Sequence, residues 1–181
     1  MMAQSFSSFL ALLLHHRESI LPRMNTESTR IDLDAFQSLA PETWRSLIAI
    51  STAAGQSGLG AELIDFIKLR ASRVNGCHFC IAMHTSAARK KGISEERLAA
   101  LEHWRDSSLF TPRERAALAW TDALTRLTNG DVPDVLYREV SGLFSQADLA
   151  ALTSVVVAIN SWNRIALAYR FPPEALTAVR R

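Results

Sequence analysis

Thiols are scarce in this chain of 181 residues, and both of them, Cys77 and Cys80, fall within one helical turn. A disulfide framework spread through the fold is thereby excluded. Glycine (7 residues) and proline (6) are also few, and no alternating apolar–polar run is bounded by hairpin dipeptides. That argues against sheet and against any collagen-like or disordered chain. Charge of one sign is missing too. Twenty Lys and Arg stand against 18 Asp and Glu, a net charge of +2 that gives no basis for a nucleic-acid partner. Long hydrophobic runs are absent: Phe9 to Leu14 falls far short of the roughly 20 residues that span a bilayer. No Lys or Arg precedes that run and no small-x-small pattern follows His15-His16-Arg17, so it does not read as a signal peptide. Leu152 to Ile159 reads as a buried helix turn or two. The expectation is a cytoplasmic protein with no membrane partner.

What is present is helical. Hydrophobic residues make up 48% and charged residues 21%, enough for one domain with a core. Trp44, Leu47 and Ile48 recur at helical spacing after Pro41 and stop in the loop Gly55 to Gly60. Ala61 to Asn75 carries Leu63, Ile64, Ile67, Leu69 and Val74 at intervals of three and four. Asn75-Gly76 is a stop signal, because glycine takes the left-handed conformation without a clash. A helix from Cys77 to Lys91 follows, closed by Gly92, and Ser94 with Glu95 and Glu96 starts a short one to about Trp104. Thr111-Pro112-Arg113-Glu114 is a capping-box start for a helix burying Leu118, Ala119, Ala123, Leu124 and Leu127 and ending at Asn129-Gly130. Pro133 opens another to Phe144, and Ser145 caps the last, Gln146 to Tyr169. The fold class is all-α: seven or eight helices, no sheet, one domain over residues 39–181. Residues 1–38 read as an N-terminal extension in which Met24 is an alternative start. The last helix is apolar on most of its circumference, so it is expected to be buried on all sides, part of it by a second subunit. Its Asn160, Ser161, Asn163 and Arg164 are expected to bond within the core or across that contact.

The chemistry concentrates in Cys77-His78-Phe79-Cys80-Ile81-Ala82-Met83-His84. On a helix, positions 77, 80 and 84 share one face, which presents two thiols and an imidazole. A thiol reacts as thiolate, and a histidine four residues after Cys80 can accept its proton or stabilise its charge. A second thiol one turn away can trap a sulfenic acid as a disulfide before further oxidation. Amides at the helix start after Gly76 favour Cys77 as the more acidic thiol. Three other readings compete. Structural zinc needs four ligands, and only Cys77, Cys80 and His84 are at hand unless His103 folds back. Buried inert cysteines would leave the shared face without purpose. A thioredoxin-like site needs strands around the motif. Asp65, twelve residues before Cys77 in an apolar stretch, is either a solvated acid or a proton carrier serving a cysteine or His84. His78 reads as an exposed helix-start residue, and His103 with Trp104 as a packed helix end.

The run Ile67 to Thr85, with Asn75-Gly76-Cys77-His78-Phe79-Cys80-Ile81-Ala82-Met83-His84 at its centre, resembles the alkylhydroperoxidase AhpD core of the carboxymuconolactone decarboxylase-like superfamily. Phe110 to Thr121 and Ala158 to Arg164 resemble it as well, and the likeness spans about Ala40 to Phe171. It implies an all-helical fold, assembly into trimers or hexamers, and an antioxidant peroxidase that reduces organic hydroperoxides at the expense of an unidentified thiol or dithiol, with neither cofactor nor metal. By the resemblance Cys80 attacks the peroxide, Cys77 closes the disulfide, and His84 and Asp65 belong to the proton relay. Two positions depart from the pattern: Asp65 stands where the relay acid is typically Glu, and Phe79 where a relay histidine precedes the second cysteine. Two alternatives remain: a redox-responsive or scaffolding oligomer without turnover, and a lactone decarboxylase-like enzyme, against which the paired cysteines argue.

Overall fold

The computed structural model describes residues 30–127 and 130–173. The expected extension up to residue 29, including Phe9 to Leu14 and Met24, and the helix end at Asn129 therefore lie outside the described residues. The chain separates into a unit Met1–Arg30 and a unit Ile31–Arg181. In the second, a short helix α1 (Leu33–Leu39) packs Phe36 into the core.

Seven helices follow α1 among the described residues: α2 (Pro41–Gly55), α3 (Ala61–Asn75), α4 (His78–Lys90), α5 (Glu95–Ala100) running into a 3-10 turn (Leu101–His103), α6 (Pro112–Thr125), α7 (Asp134–Ser141) and α8 (Gln146–Tyr169). Strands are absent among these residues. Local chemistry sets the boundaries. Asp32, Ser94, Thr111 and Ser145 each accept a backbone N–H at a helix start, and Thr111 with Glu114 forms the full capping box. Gly76 ends α3 at φ 68°, a conformation an L side chain resists. Three helices are shorter than their sequence signals. α4 starts one residue late, with Cys77 as its cap. α6 stops at Thr125 and leaves Leu127 exposed. α7 ends at Ser141 before Gly142, although Phe144 beyond it is still buried.

Helix α3 is the centre of the domain. It packs on α4, α6 and α8, and Phe66, Ile67, Leu69 and Ala71 on it have no exposed surface. With neighbours around its circumference it buries even Asp65, Arg70 and Ser72. Arg70 is satisfied by a bidentate bond to Asp122 of α6, at 2.6 and 3.0 Å, and by the carbonyls of Leu101 and Glu102. Such pairing is what a charge needs to be tolerated inside a fold.

Helix α8 lies against α2, α3 and α6. By length and mean hydropathy (1.2) it could cross a membrane, but half of its apolar window is buried inside the protein. The expectation that this helix is covered on every side does not hold within the chain. Ser154, Val157, Arg164 and Leu167 form an exposed stripe at spacings of three, seven and three residues, because no other described helix packs there. Its buried polar residues do bond inside the core. Asn160 donates to Thr125 Oγ1 and the Val156 carbonyl and accepts from Asn75, while Asn163 Oδ1 accepts from Ser72.

Candidate active site

Gly76 lets the chain reverse between α3 and α4, so α4 runs back along α3 with its first turn at the turn itself. The backbone N–H of Cys77 closes that turn on the Ser72 carbonyl at 2.9 Å. Cys77 then caps α4: its Sγ accepts from the Cys80 backbone N–H at 3.4 Å. This places the two sulfurs 2.8 Å apart as free thiols, each only 1% exposed. At that separation they are hydrogen-bonded, and once one has ionised the remaining proton is shared between them. The Cys80 thiol and its backbone N–H stabilise a thiolate on Cys77 against the penalty of burial, and bring its pKa down to about 7. The hydrogen bond with Cys77, then burial and the Cys77 charge, push Cys80 up. The hydrogen bond between the sulfurs thus makes Cys77 the acidic member of the pair.

Access is a different matter. A cavity of about 680 Å³ lies between α2, α3, α4 and α8, and Cys80, not Cys77, is on its wall. Trp44, Ile48, Met83, Ile159 and Trp162 supply much of its apolar lining. Trp44 and Trp162 meet edge to face at 5.0 Å, and Trp162 is anchored by donating Nε1–H to Ser51 Oγ at 3.1 Å. Phe79, at the place where the resemblance would put a histidine, is buried and packs edge to face on Phe171 at 5.7 Å. That position is therefore an apolar wall. The sulfurs sit in a small cluster of their own with Phe36, Phe79, Ala166 and Phe171.

His84 is also on the cavity wall. Burial, reinforced by the charges of Lys68 and Lys91, brings its pKa down to about 3, so the imidazole is neutral at physiological pH. Its Nε2 is buried without a hydrogen-bond partner. Cys80 and His84 thus share a cavity without bonding to one another. Nor do Cys77, Cys80 and His84 converge as a metal-binding group among the described residues. His78 is exposed at the start of α4, and His103 is exposed in the 3-10 turn beside buried Trp104.

Asp65 is not a solvated acid. It is 2% exposed on α3 and accepts a hydrogen bond from Lys91 Nζ, just past the end of α4, at 2.6 Å. No hydrogen bond ties it to either cysteine or to His84 among the described residues; its charge acts on this region through Lys68 and Lys91. Sequence reasoning passed over both lysines. Lys68 stands three residues after Asp65, the spacing of a shared helix face, and that was the available signal. Lys91 gave none, because its approach to Asp65 depends on how α4 returns along α3.

The profile of the carboxymuconolactone decarboxylase family matches residues 40–123. YdfG, an uncharacterised protein of Bacillus subtilis strain 168, is 36% identical over 134 residues, which cover 74% of this chain and 91% of YdfG. The chain belongs to the carboxymuconolactone decarboxylase family. Within the family it carries the AhpD-like core. The solved structure of ATU0492 from Agrobacterium tumefaciens, a protein of unknown function named for the antioxidant defence protein AhpD, superposes with a TM-score of 0.71 at 37% identity, covering 76% of this chain and 95% of that one. The debrominase Bmp8 shares the fold at 18% identity and a TM-score of 0.70, over 78% of this chain and 76% of its own. The fold that these proteins share with the chain is all-helical.

Proposed function

We propose that the protein is a thiol peroxidase that reduces organic hydroperoxides through a Cys77–Cys80 disulfide cycle. The observation that carries this reading is a pair of free thiols 2.8 Å apart with one of them on the wall of an apolar cavity. Transfer of the shared proton from Cys80 to Cys77 puts the thiolate on the sulfur that faces the cavity. That sulfur attacks the terminal peroxide oxygen. The O–O bond breaks, Cys80 becomes a sulfenic acid, and the alkoxide leaves with the bonding electrons and takes a proton to become an alcohol. In this scheme His84, on the cavity wall, hydrogen-bonds the peroxide or the departing oxygen. Cys77 then displaces the Cys80 hydroxyl, which leaves as water, and the disulfide forms. A thiol or dithiol reductant returns two electrons and two protons. Asp65 acts in this scheme at a distance, by holding Lys91.

Its assembly belongs to the same proposal: a cytoplasmic homo-oligomer, a trimer or hexamer, whose contacts cover the α8 stripe with Val157 and Leu167. A redox-responsive oligomer without turnover is the second reading, since buried paired thiols would serve it too. Single-turnover peroxide consumption with thiols counted afterwards separates them. One equivalent of cumene hydroperoxide should remove two thiols from the reduced protein. Cys80→Ser should abolish the reaction, and Cys77→Ser should stop after one turnover with a trapped sulfenate. Consumption no faster than by a small free thiol would leave the second reading standing.

A further inference from the structure

The cavity that holds Cys80 is apolar along its length but cationic along one side. Lys68 of α3 and Lys90 at the end of α4 both line it. Lys91 is neutralised by Asp65, but neither Lys68 nor Lys90 has a hydrogen-bonded or ion-paired partner among the described residues. Burial pulls the Lys68 ammonium below its ordinary pKa, and the Asp65 charge opposes this only in part. Along α4, Cys80 and Lys90 are separated by ten residues, about 15 Å of helical rise. Both residues line the same cavity, from opposite ends of the helix.

We infer that this cavity selects amphipathic carboxylates: an apolar body against Trp44, Ile159 and Trp162, with a terminal carboxylate held by Lys68 and Lys90. The inference rests on the peroxidase reading only in making the substrate the hydroperoxide of such an acid, with its oxidised carbon at Cys80. Binding itself requires no turnover. A partly buried ammonium–carboxylate contact is the strong kind of hydrogen bond, and the tail is bound by area removed from water.

The test is a titration of the reduced protein with decanoate and with 1-decanol, read by the fluorescence of the tryptophans on the cavity wall. Decanoate should bind about tenfold more tightly than the alcohol, the effect of one good charged contact. Lys68→Gln should remove that preference without weakening decanol, and Lys68→Arg should retain it. Lys90 is exposed and its replacement does not threaten folding; Lys90→Gln should weaken decanoate several-fold and leave decanol unchanged. Equal affinity for the two ligands, or a preference indifferent to both glutamine variants, would overturn the inference. Neutral cumene hydroperoxide keeps the two ideas apart. Its turnover without a decanoate preference would sink the carboxylate site alone, and a decanoate preference with no consumption of either cumene hydroperoxide or a fatty-acid hydroperoxide would sink the peroxidase alone.

Discussion

At the scale of the residue, the two sulfurs divide acidity and access between them. Cys77 has the cap position and the lowered pKa, while Cys80 has the cavity. Because they share a proton, the pair titrates as a unit, and the thiolate that reaches the peroxide is drawn from that pair. Peroxide consumption in a single turnover should therefore rise with pH around the pair's value of about 7. Cys77→Ala leaves Cys80 buried without its partner, so its profile should move up, beyond the ordinary thiol value of about 8.5. An unmoved profile would mean that Cys80 gains its thiolate from some other group. Much of this was legible in the residues: C-x-x-C spacing put the thiols on one turn, and the helix start marked Cys77 as the acid. That His84 would stand near Lys68 and Lys91, neutral and unbonded to Cys80, was not legible, because its neighbours come from α3 and from past the end of α4.

At the scale of the element, the site depends on the reversal between α3 and α4. Gly76 takes φ 68° with nothing within 4 Å of where a Cβ would stand, so a side chain there meets backbone strain and no clash. Gly76→Ala should cost about 1 kcal/mol in urea unfolding, the ordinary penalty for a left-handed alanine. A loss of several kcal/mol would show that the turn is held by more than conformational preference. Helix starts were the best-read features of the sequence, since a capping side chain and the amide it binds are three residues apart. Helix ends were read too long in α6 and α7. Apolar residues such as Leu127 and Phe144 continued the pattern, yet whether they continue the helix depends on what the following segment packs against.

At the scale of the whole molecule, Asp122 ties the central helix to its neighbours. It accepts from Arg70 of α3, and Arg105 and Arg126 stand 2.9 and 3.2 Å from it. Burial pushes its carboxyl up, but the hydrogen bond and charge of Arg70, with Arg105 and Arg126, more than offset this and hold it below the usual range. A depressed carboxyl contributes stability that is complete above its unfolded pKa and is lost as the pH falls through the folded one. Asp122→Asn should cost about 3 kcal/mol at pH 7, because it leaves the Arg70 guanidinium buried without its counter-charge. The variant should also lack part of the wild-type decline in stability below about pH 4. Equal loss at pH 7 and pH 3, measured by denaturant unfolding, would assign the effect to packing instead.

The sequence by itself determined the helices, their caps, the turn at Gly76 and the coincidence of two thiols on one helical turn. These are local matters, settled by residues three or four apart. Only the tertiary structure decided that Cys80 and not Cys77 faces a cavity, that Asp65 is hydrogen-bonded to Lys91, and that Lys68 and Lys90 stand beside apolar walls. Those facts join α2, α3, α4 and α8, which are brought together by burial of apolar surface, an interaction without direction that leaves no fixed spacing along the chain.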